Sequence, residues 1–97
     1  MEATKTSTQK DQYVLLVNIQ NQNEPLNLDY SQIMAGDLQK IGRYVRAQIE
    51  RAKRLGYTYK CGYDGYGRMY DEFKRDGRKV KYIICTKSLA KRTLLIP

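Results

Sequence analysis

Two carboxylates and a lysine in the second half of the chain are the residues whose types could do hydrolytic chemistry. Asp64 precedes Glu72, and Lys74 follows Glu72 by two positions, which are the residue types of a metal-dependent nuclease. Such a site needs Glu72 and Lys74 on a strand, where both side chains point to one face. The apolar residues around them recur at helical spacing, which would direct the two side chains to different faces. The sequence therefore does not favour this site.

Other catalytic and cofactor chemistries lack their residues. The chain contains no histidine, which removes Ser/His and Cys/His nucleophile pairs and most zinc sites. Its two cysteines, Cys61 and Cys85, cannot complete a tetrahedral thiolate site. The glycines of the loop 62–67 are spaced three and then two residues apart, unlike the dinucleotide fingerprint or the P-loop. We therefore expect no enzyme, no metal and no cofactor.

The charge of the chain changes sign near residue 37. The first 37 residues carry two Lys/Arg and five Asp/Glu, whereas residues 38–97 carry sixteen Lys/Arg and five Asp/Glu. Seven of the nine tyrosines also lie in the second part. A basic surface with interleaved tyrosines is typical of proteins that bind polyanions, because cations hold phosphates while aromatic rings stack on unpaired bases.

These patterns predict a small basic accessory protein that binds nucleic acid, either DNA or RNA. The candidate contacts lie on the outer face of a predicted helix, in the glycine-rich loop and on the flanking strands: Lys40, Arg43, Arg46, Arg51, Arg54, Lys60, Tyr63, Tyr66, Arg68, Arg78 and Lys79.

A protein-interaction module is the alternative that the sequence leaves open. The same basic face would dock on an acidic protein surface as an inhibitor, adaptor or linker, with tyrosines as anchors. Small size and the lack of catalytic groups suit both hypotheses. The apolar end, Leu94–Ile96, also leaves a homodimer open.

The clearest predicted element is a long amphipathic helix after Asp37. Apolar residues step by three or four from Leu38 to Ala52, with Asp37 as N-cap and Gly56 just past the end. Before it, the continuous apolar run Tyr13–Ile19 predicts a strand covered on both faces. Residues 1–11 are expected to form a disordered polar tail, and residues 12–97 a single domain.

The second half predicts two more strands and a short helix. Tyr57–Cys61 alternates like a half-buried strand, and Lys79–Thr86 does the same. Between them, Tyr66, Met69, Tyr70 and Phe73 predict a short helix that ends at Gly77. The expected fold is α+β, with a small three-stranded sheet covered by one long helix and one short helix in the order β-α-β-α-β.

Two features of the sequence bear on location. No apolar run reaches the ~18 residues of a membrane span, and residues 1–10 lack the apolar stretch of a signal peptide. We therefore expect no membrane partner and a cytoplasmic protein, in which both cysteines stay reduced.

Overall fold

The computed structural model of the protein describes residues 13–65 and 68–90. The elements within them are β1 (Tyr13–Asn21), β2 (Ser31–Gly36), α1 (Leu38–Arg54), β3 (Thr58–Tyr63), β4 (Met69–Arg75) and β5 (Arg78–Thr86). A short helical turn follows β5 over residues 87–90. The predicted tail over residues 1–11 and the apolar end Leu94–Ile96 lie outside the described residues. In the part of the chain that is described, no helix is both long and apolar enough to cross a membrane.

The five strands form one antiparallel sheet in the order β2-β1-β5-β4-β3. The prediction of a three-stranded sheet is therefore wrong, because it lacks β2 and treats β4 as a helix. The prediction that the apolar run after residue 12 forms an interior strand is confirmed. β1 pairs with β2 on one side and with β5 on the other, and Val14, Leu15 and Leu16 are buried.

β4 replaces the short helix that the sequence predicts over residues 66–75. Its apolar residues fit helical spacing, but its side chains also alternate with a period of two. Met69, Asp71 and Phe73 share one face, while Tyr70 and Glu72 lie on the other. Pairing with β3 on one side and β5 on the other satisfies the backbone on both edges, which outweighs the weak local helical signal.

β2 is an edge strand that the sequence analysis missed. Three of its six residues are exposed and one is buried, and its register against β1 shifts between Leu15 and Leu16, as at a β-bulge. A short, irregular edge strand carries little hydrophobic periodicity, so its formation depends on the neighbouring β1.

The long helix forms where its sequence predicts. The Asp37 side chain accepts a hydrogen bond from the Lys40 backbone N–H at 2.7 Å, which caps the first turn. Helix α1 ends at Arg54, and Gly56 follows in a left-handed conformation with φ of 88°. Ile41 and Val45 are its buried residues.

The core has two parts, one on each face of the sheet. On the face that α1 covers, Leu15 and Ile84 pack against Ile41 and Val45. On the opposite face, a second cluster joins four strand residues to Ala90 of the turn over residues 87–90. The strand residues are Val14, Leu16, Ile83 and Cys85. The predicted alternation of β5, with Ile84 and Ile83 on different faces, is confirmed.

Candidate nucleic-acid interface

A tight turn between β4 and β5 brings four cations together. Asp76 and Gly77 both have positive φ, 50° and 81°, as in the two-residue turns that join antiparallel strands. This turn places Arg75 directly opposite Arg78, and the next pair behind it, Lys74 and Lys79, is also directly opposite. Like charges at such positions destabilise a strand pair.

One carboxylate lies in this turn and compensates little of that charge. Asp76 Oδ2 lies 3.2 Å from Arg75 Nε, but the Asp76 side chain is 85% exposed. An ion pair in contact with solvent contributes at most about 1 kcal/mol. Glu72 Oε2 lies 3.9 Å from Lys74 Nζ, so the four cations face two carboxylates, and the remaining positive charge is one that an external anion would offset.

The hairpin docks on the carboxyl end of α1. The Arg75 guanidinium donates through Nη1 to the backbone carbonyl of Leu55, the residue that follows the helix. Gly56 lies beside the same guanidinium, since a Cβ at this position would stand 3.7 Å from it. Arg51 of α1 and Arg78 of β5 line a common depression. The cations of the helix end and of the hairpin thus meet at one end of the molecule.

An open groove lies at this end, and we call it the basic groove. Four cations and one carboxylate line it: Lys74, Arg75, Arg78, Lys79 and Asp76. The uncharged residues Gly56, Thr58 and Gly77 complete the lining. Its volume is about 490 Å³. Gln22, from the loop after β1, packs over Gly77, where an added Cβ would stand 2.3 Å from Gln22 Oε1.

The outer face of α1 is a second set of cations, which we call the helix surface. Five of the predicted contacts are exposed there: Lys40, Arg43, Arg46, Arg51 and Arg54. None of the five takes part in an ion pair with another described residue. Arg51 and Arg54 stabilise α1 because they complement the negative end of its dipole. That explanation does not extend to Lys40, Arg43 or Arg46, which lie further from the carboxyl end.

Lys60 and Lys79 lie on the face of the sheet that α1 does not cover. On β5, Lys79 and Lys81 alternate with Val80 and Tyr82, and Tyr82 packs toward the helix. Lys60 of β3 stands opposite Glu72 of β4, which stands opposite Lys81. The predicted contacts are therefore divided between two opposite faces that meet at the basic groove.

The predicted contacts in and beside the glycine-rich loop differ in their exposure to solvent. Tyr63, at the end of β3, is 72% exposed. Tyr66 lies outside the described residues. Arg68 is bound to Asp64, whose carboxylate accepts from Arg68 Nε at 2.7 Å and from its backbone N–H at 3.0 Å. Both side chains are only 12% exposed, so Arg68 serves to close the loop rather than to meet solvent.

Glu72 and Lys74, two of the three residues considered for hydrolytic chemistry, lie on a strand and not on a helix. Glu72 and Lys74 share a face of β4, with Lys74 Nζ 3.9 Å from Glu72 Oε2. Asp64, however, pairs with Arg68 at the far end of the β3–β4 hairpin, four positions along β4 from Glu72. The described residues contain no group of three side chains that could hold a metal ion. Asp64 therefore does not join Glu72 and Lys74 in one group.

Two further polar groups have raised pKa values: the buried Cys85 and the half-buried Tyr59, whose ring centre lies 5.2 Å from Lys53 Nζ. Burial raises the pKa of the Cys85 thiol above its usual range, although the nearby Arg68 charge opposes the shift. Burial, followed by a hydrogen bond to Asp71, raises the pKa of Tyr59. Tyr59 Oη donates to Asp71 Oδ1 at 2.5 Å. Both groups stay neutral at physiological pH, so neither adds negative charge beside the basic surfaces.

Lys74, Arg75 and Lys81 belong to these basic surfaces but are not among the nucleic-acid contacts predicted from the sequence. The available signal was the Asp76–Gly77 dipeptide, which is typical of a two-residue hairpin turn. Two cations stand on each side of that dipeptide, and a hairpin there necessarily makes them cross-strand neighbours.

The basic surfaces are the basis for proposing a function, because comparisons with known proteins give no match. No protein-family model, curated protein or solved structure matches the chain.

Proposed function

We propose that the protein binds nucleic acid by its phosphates, through the basic groove and the helix surface. The observation that carries the proposal is that two successive cross-strand pairs of the β4–β5 hairpin, Arg75–Arg78 and Lys74–Lys79, consist of cations. A fold that keeps two like-charged pairs at its end loses stability in isolation. Successive strand positions point to opposite faces, so the Arg75–Arg78 pair lies on the α1 side and the Lys74–Lys79 pair on the other. Phosphates bound at the end of the hairpin would offset the loss at either pair.

The extent of the cations favours a polymer over a small anion. From Lys40 to Arg54 the helix surface spans about 21 Å at 1.5 Å per residue. The basic groove adds four more cations beyond the end of the helix. A single phosphate or carboxylate would meet only a few of these charges, whereas a nucleic-acid backbone supplies phosphates along the whole length.

Tyr63 is the described aromatic residue best placed to contact a base. Its ring is 72% exposed at the end of β3, and stacking on an unpaired base contributes about 1–3 kcal/mol. We expect Tyr63→Ala to weaken binding to single strands more than binding to duplex, because bases in a duplex are already stacked. An equal loss for both forms would assign Tyr63 another role.

The salt dependence of binding tests the proposal. If six or more phosphates are neutralised, the logarithm of the association constant should fall with the logarithm of salt concentration with a slope of about −5 or steeper. Fluorescence anisotropy with a labelled duplex and a labelled single strand measures this slope. Affinity that does not change with salt, or no binding at low salt, would overturn the proposal.

A single substitution in the groove gives a matched comparison. Arg78→Gln removes a groove cation, and Lys87→Gln removes an exposed cation that follows the opposite end of β5. We expect the first to make the slope shallower by about 0.9, the value for one phosphate on duplex DNA. The second should leave the slope unchanged.

A protein partner that docks on the same basic face remains a second candidate because of one specific observation, a pair of exposed leucines. Leu26 and Leu28 are 77% and 61% exposed on a loop whose backbone is held by side-chain amides. Gln20 Nε2 donates to the Pro25 carbonyl at 3.0 Å, and Asn18 Nδ2 donates to the Asn27 carbonyl at 2.8 Å. Exposed apolar residues on an ordered loop suit a protein contact. Purification after nuclease treatment separates the two candidates, since a stoichiometric protein that survives treatment favours this second one.

A further inference from the structure

The face of the sheet opposite α1 carries its own cationic surface, which we call the sheet-face lysines. Its members come from three neighbouring strands and lie in two adjacent rows: Lys60, Lys74, Lys79 and Lys81. Lys60 and Lys74 are exposed, and Lys79 and Lys81 are half-exposed. Lys81 Nζ lies 4.9 Å from the centre of the Tyr70 ring, a contact that leaves its charge in place.

The carboxylates on this face neutralise only part of that charge. Glu72 lies in the same row as Lys60 and Lys81, and it is 9% exposed. Its oxygen is 3.9 Å from Lys74 Nζ, at the limit of an ion pair. Asp64 is bound to Arg68. The loop after β1 carries Glu24 and Asp29 along the β1 side of this face, where Gln20 and Asn18 donate to its backbone. Four lysines against these two carboxylates and Glu72 leave the sheet face with a small positive excess.

The helix surface and the sheet-face lysines point in opposite directions, because α1 covers only one face of the sheet. The shortest principal extent is 20 Å. Bending a duplex of 20–30 bp by 40–90° already costs about 1–6 kcal/mol, and contact with both faces would require a still larger bend, so we expect a duplex to stay on one face. A duplex bound to one broad face therefore leaves the other face free.

We propose that one copy of the chain binds two duplex segments at the same time, one against the helix surface and one against the sheet-face lysines. The protein would thereby bridge DNA segments. This inference rests on the proposed function, because it requires that the cations bind phosphates. We take the partner of the sheet face to be a second duplex, because its phosphates complement the charge of the lysines.

A capture experiment tests bridging directly. A biotinylated duplex is held on streptavidin beads, and a second, fluorescent duplex of unrelated sequence is added with or without the protein at low salt. We expect protein-dependent retention of the fluorescent duplex, which rises and then falls as protein is added in excess. Sedimentation measured in parallel gives the number of protein copies in each complex.

Two matched double variants assign the two faces. Lys60→Gln with Lys81→Gln removes two charges from the sheet face, and Arg43→Gln with Arg46→Gln removes two from the helix surface. All four positions are exposed or half-exposed. Each variant should still bind one duplex in anisotropy measurements, with affinity reduced by no more than about tenfold at 0.1 M salt per removed phosphate contact. Capture of the second duplex should fall at least fivefold in each.

The outcomes separate this inference from the proposed function. If the wild-type chain binds one duplex and captures no second duplex, bridging is overturned while nucleic-acid binding stands. If the Lys60 and Lys81 variant captures as well as wild type, bridging by two faces is overturned, and self-association explains the capture. If the wild-type chain binds no duplex at low salt, both the bridging and the proposed function are overturned.

Discussion

Replacing Lys79 by glutamate should stabilise the protein and weaken its binding to nucleic acid. In the folded chain Lys79 stands directly opposite Lys74. Lys79→Glu removes one like-charged cross-strand pair and creates one pair of opposite charges. Each such change is worth about 0.2–1 kcal/mol, so we expect about 1 kcal/mol of added stability at low salt. For a domain of this size that corresponds to a rise of about 4–8 °C in melting temperature.

The same substitution removes a cation from the basic groove. Loss of one phosphate contact should make the salt slope shallower by about 0.9 for duplex DNA, which corresponds to roughly a tenfold loss of affinity at 0.1 M salt. The introduced carboxylate should add repulsion to that loss. A residue whose removal raises stability and lowers affinity is expected where charge serves binding rather than folding.

Thermal denaturation followed by circular dichroism, at low salt and near 1 M salt, measures the stability effect. The gain should vanish at high salt, where the Debye length falls to about 3 Å. The double variant Lys74→Glu with Lys79→Glu restores a like-charged pair, so its gain should be lost. Lys87→Glu makes the same charge change about 26 Å away along β5 and should alter affinity by less than twofold.

The opposite sign of either effect would refute this reasoning. If Lys79→Glu lowers the melting temperature at low salt, the cross-strand cations do not repel one another as the register requires. If affinity stays at the wild-type value while Lys87→Glu lowers it, the phosphates do not lie in the basic groove.

Four further outcomes test the structure itself. Gly77→Ala should destabilise the protein by about 1–2 kcal/mol, because the φ of 81° at this position disfavours a side chain. Gly42→Ala should stabilise α1 by about 0.5–1 kcal/mol, because the space around an added Cβ is open. Urea denaturation measures both changes. Tyr59→Phe removes the hydrogen bond to Asp71 and should lower stability by about 1–2 kcal/mol in the same assay, and a value near zero would contradict the contact. Stability should also fall as pH rises above about 10. Burial raises the pKa of Tyr59 and Tyr82 from the usual value of 10.0, so the unfolded chain loses these protons at lower pH than the folded chain does. Urea midpoints at pH 8 and 10.5 check the sign.

Local interactions explain which elements could be predicted from the sequence. Helix α1 depends on contacts between residues three or four apart, on the Asp37 cap and on Gly56, all within one short segment. β1 was also predictable, because a continuous apolar run of strand length has few alternatives to an interior position.

The elements that depend on distant partners could not be assigned in the same way. Residues 69–75 have side chains that suit either a short helix or a strand, and pairing with β3 and β5 selects the strand. β2 has too few buried residues to indicate a strand without β1 beside it.

The sequence by itself shows that cations are in excess after residue 37 and that histidine is absent. Only the tertiary structure decided where that charge lies. Successive strand residues point to opposite faces, and cross-strand neighbours are far apart in the chain, so the position of Lys60 depends on the order of strands. Sheet topology therefore divides the cations between two faces, and the turn at Asp76 and Gly77 joins them at one end.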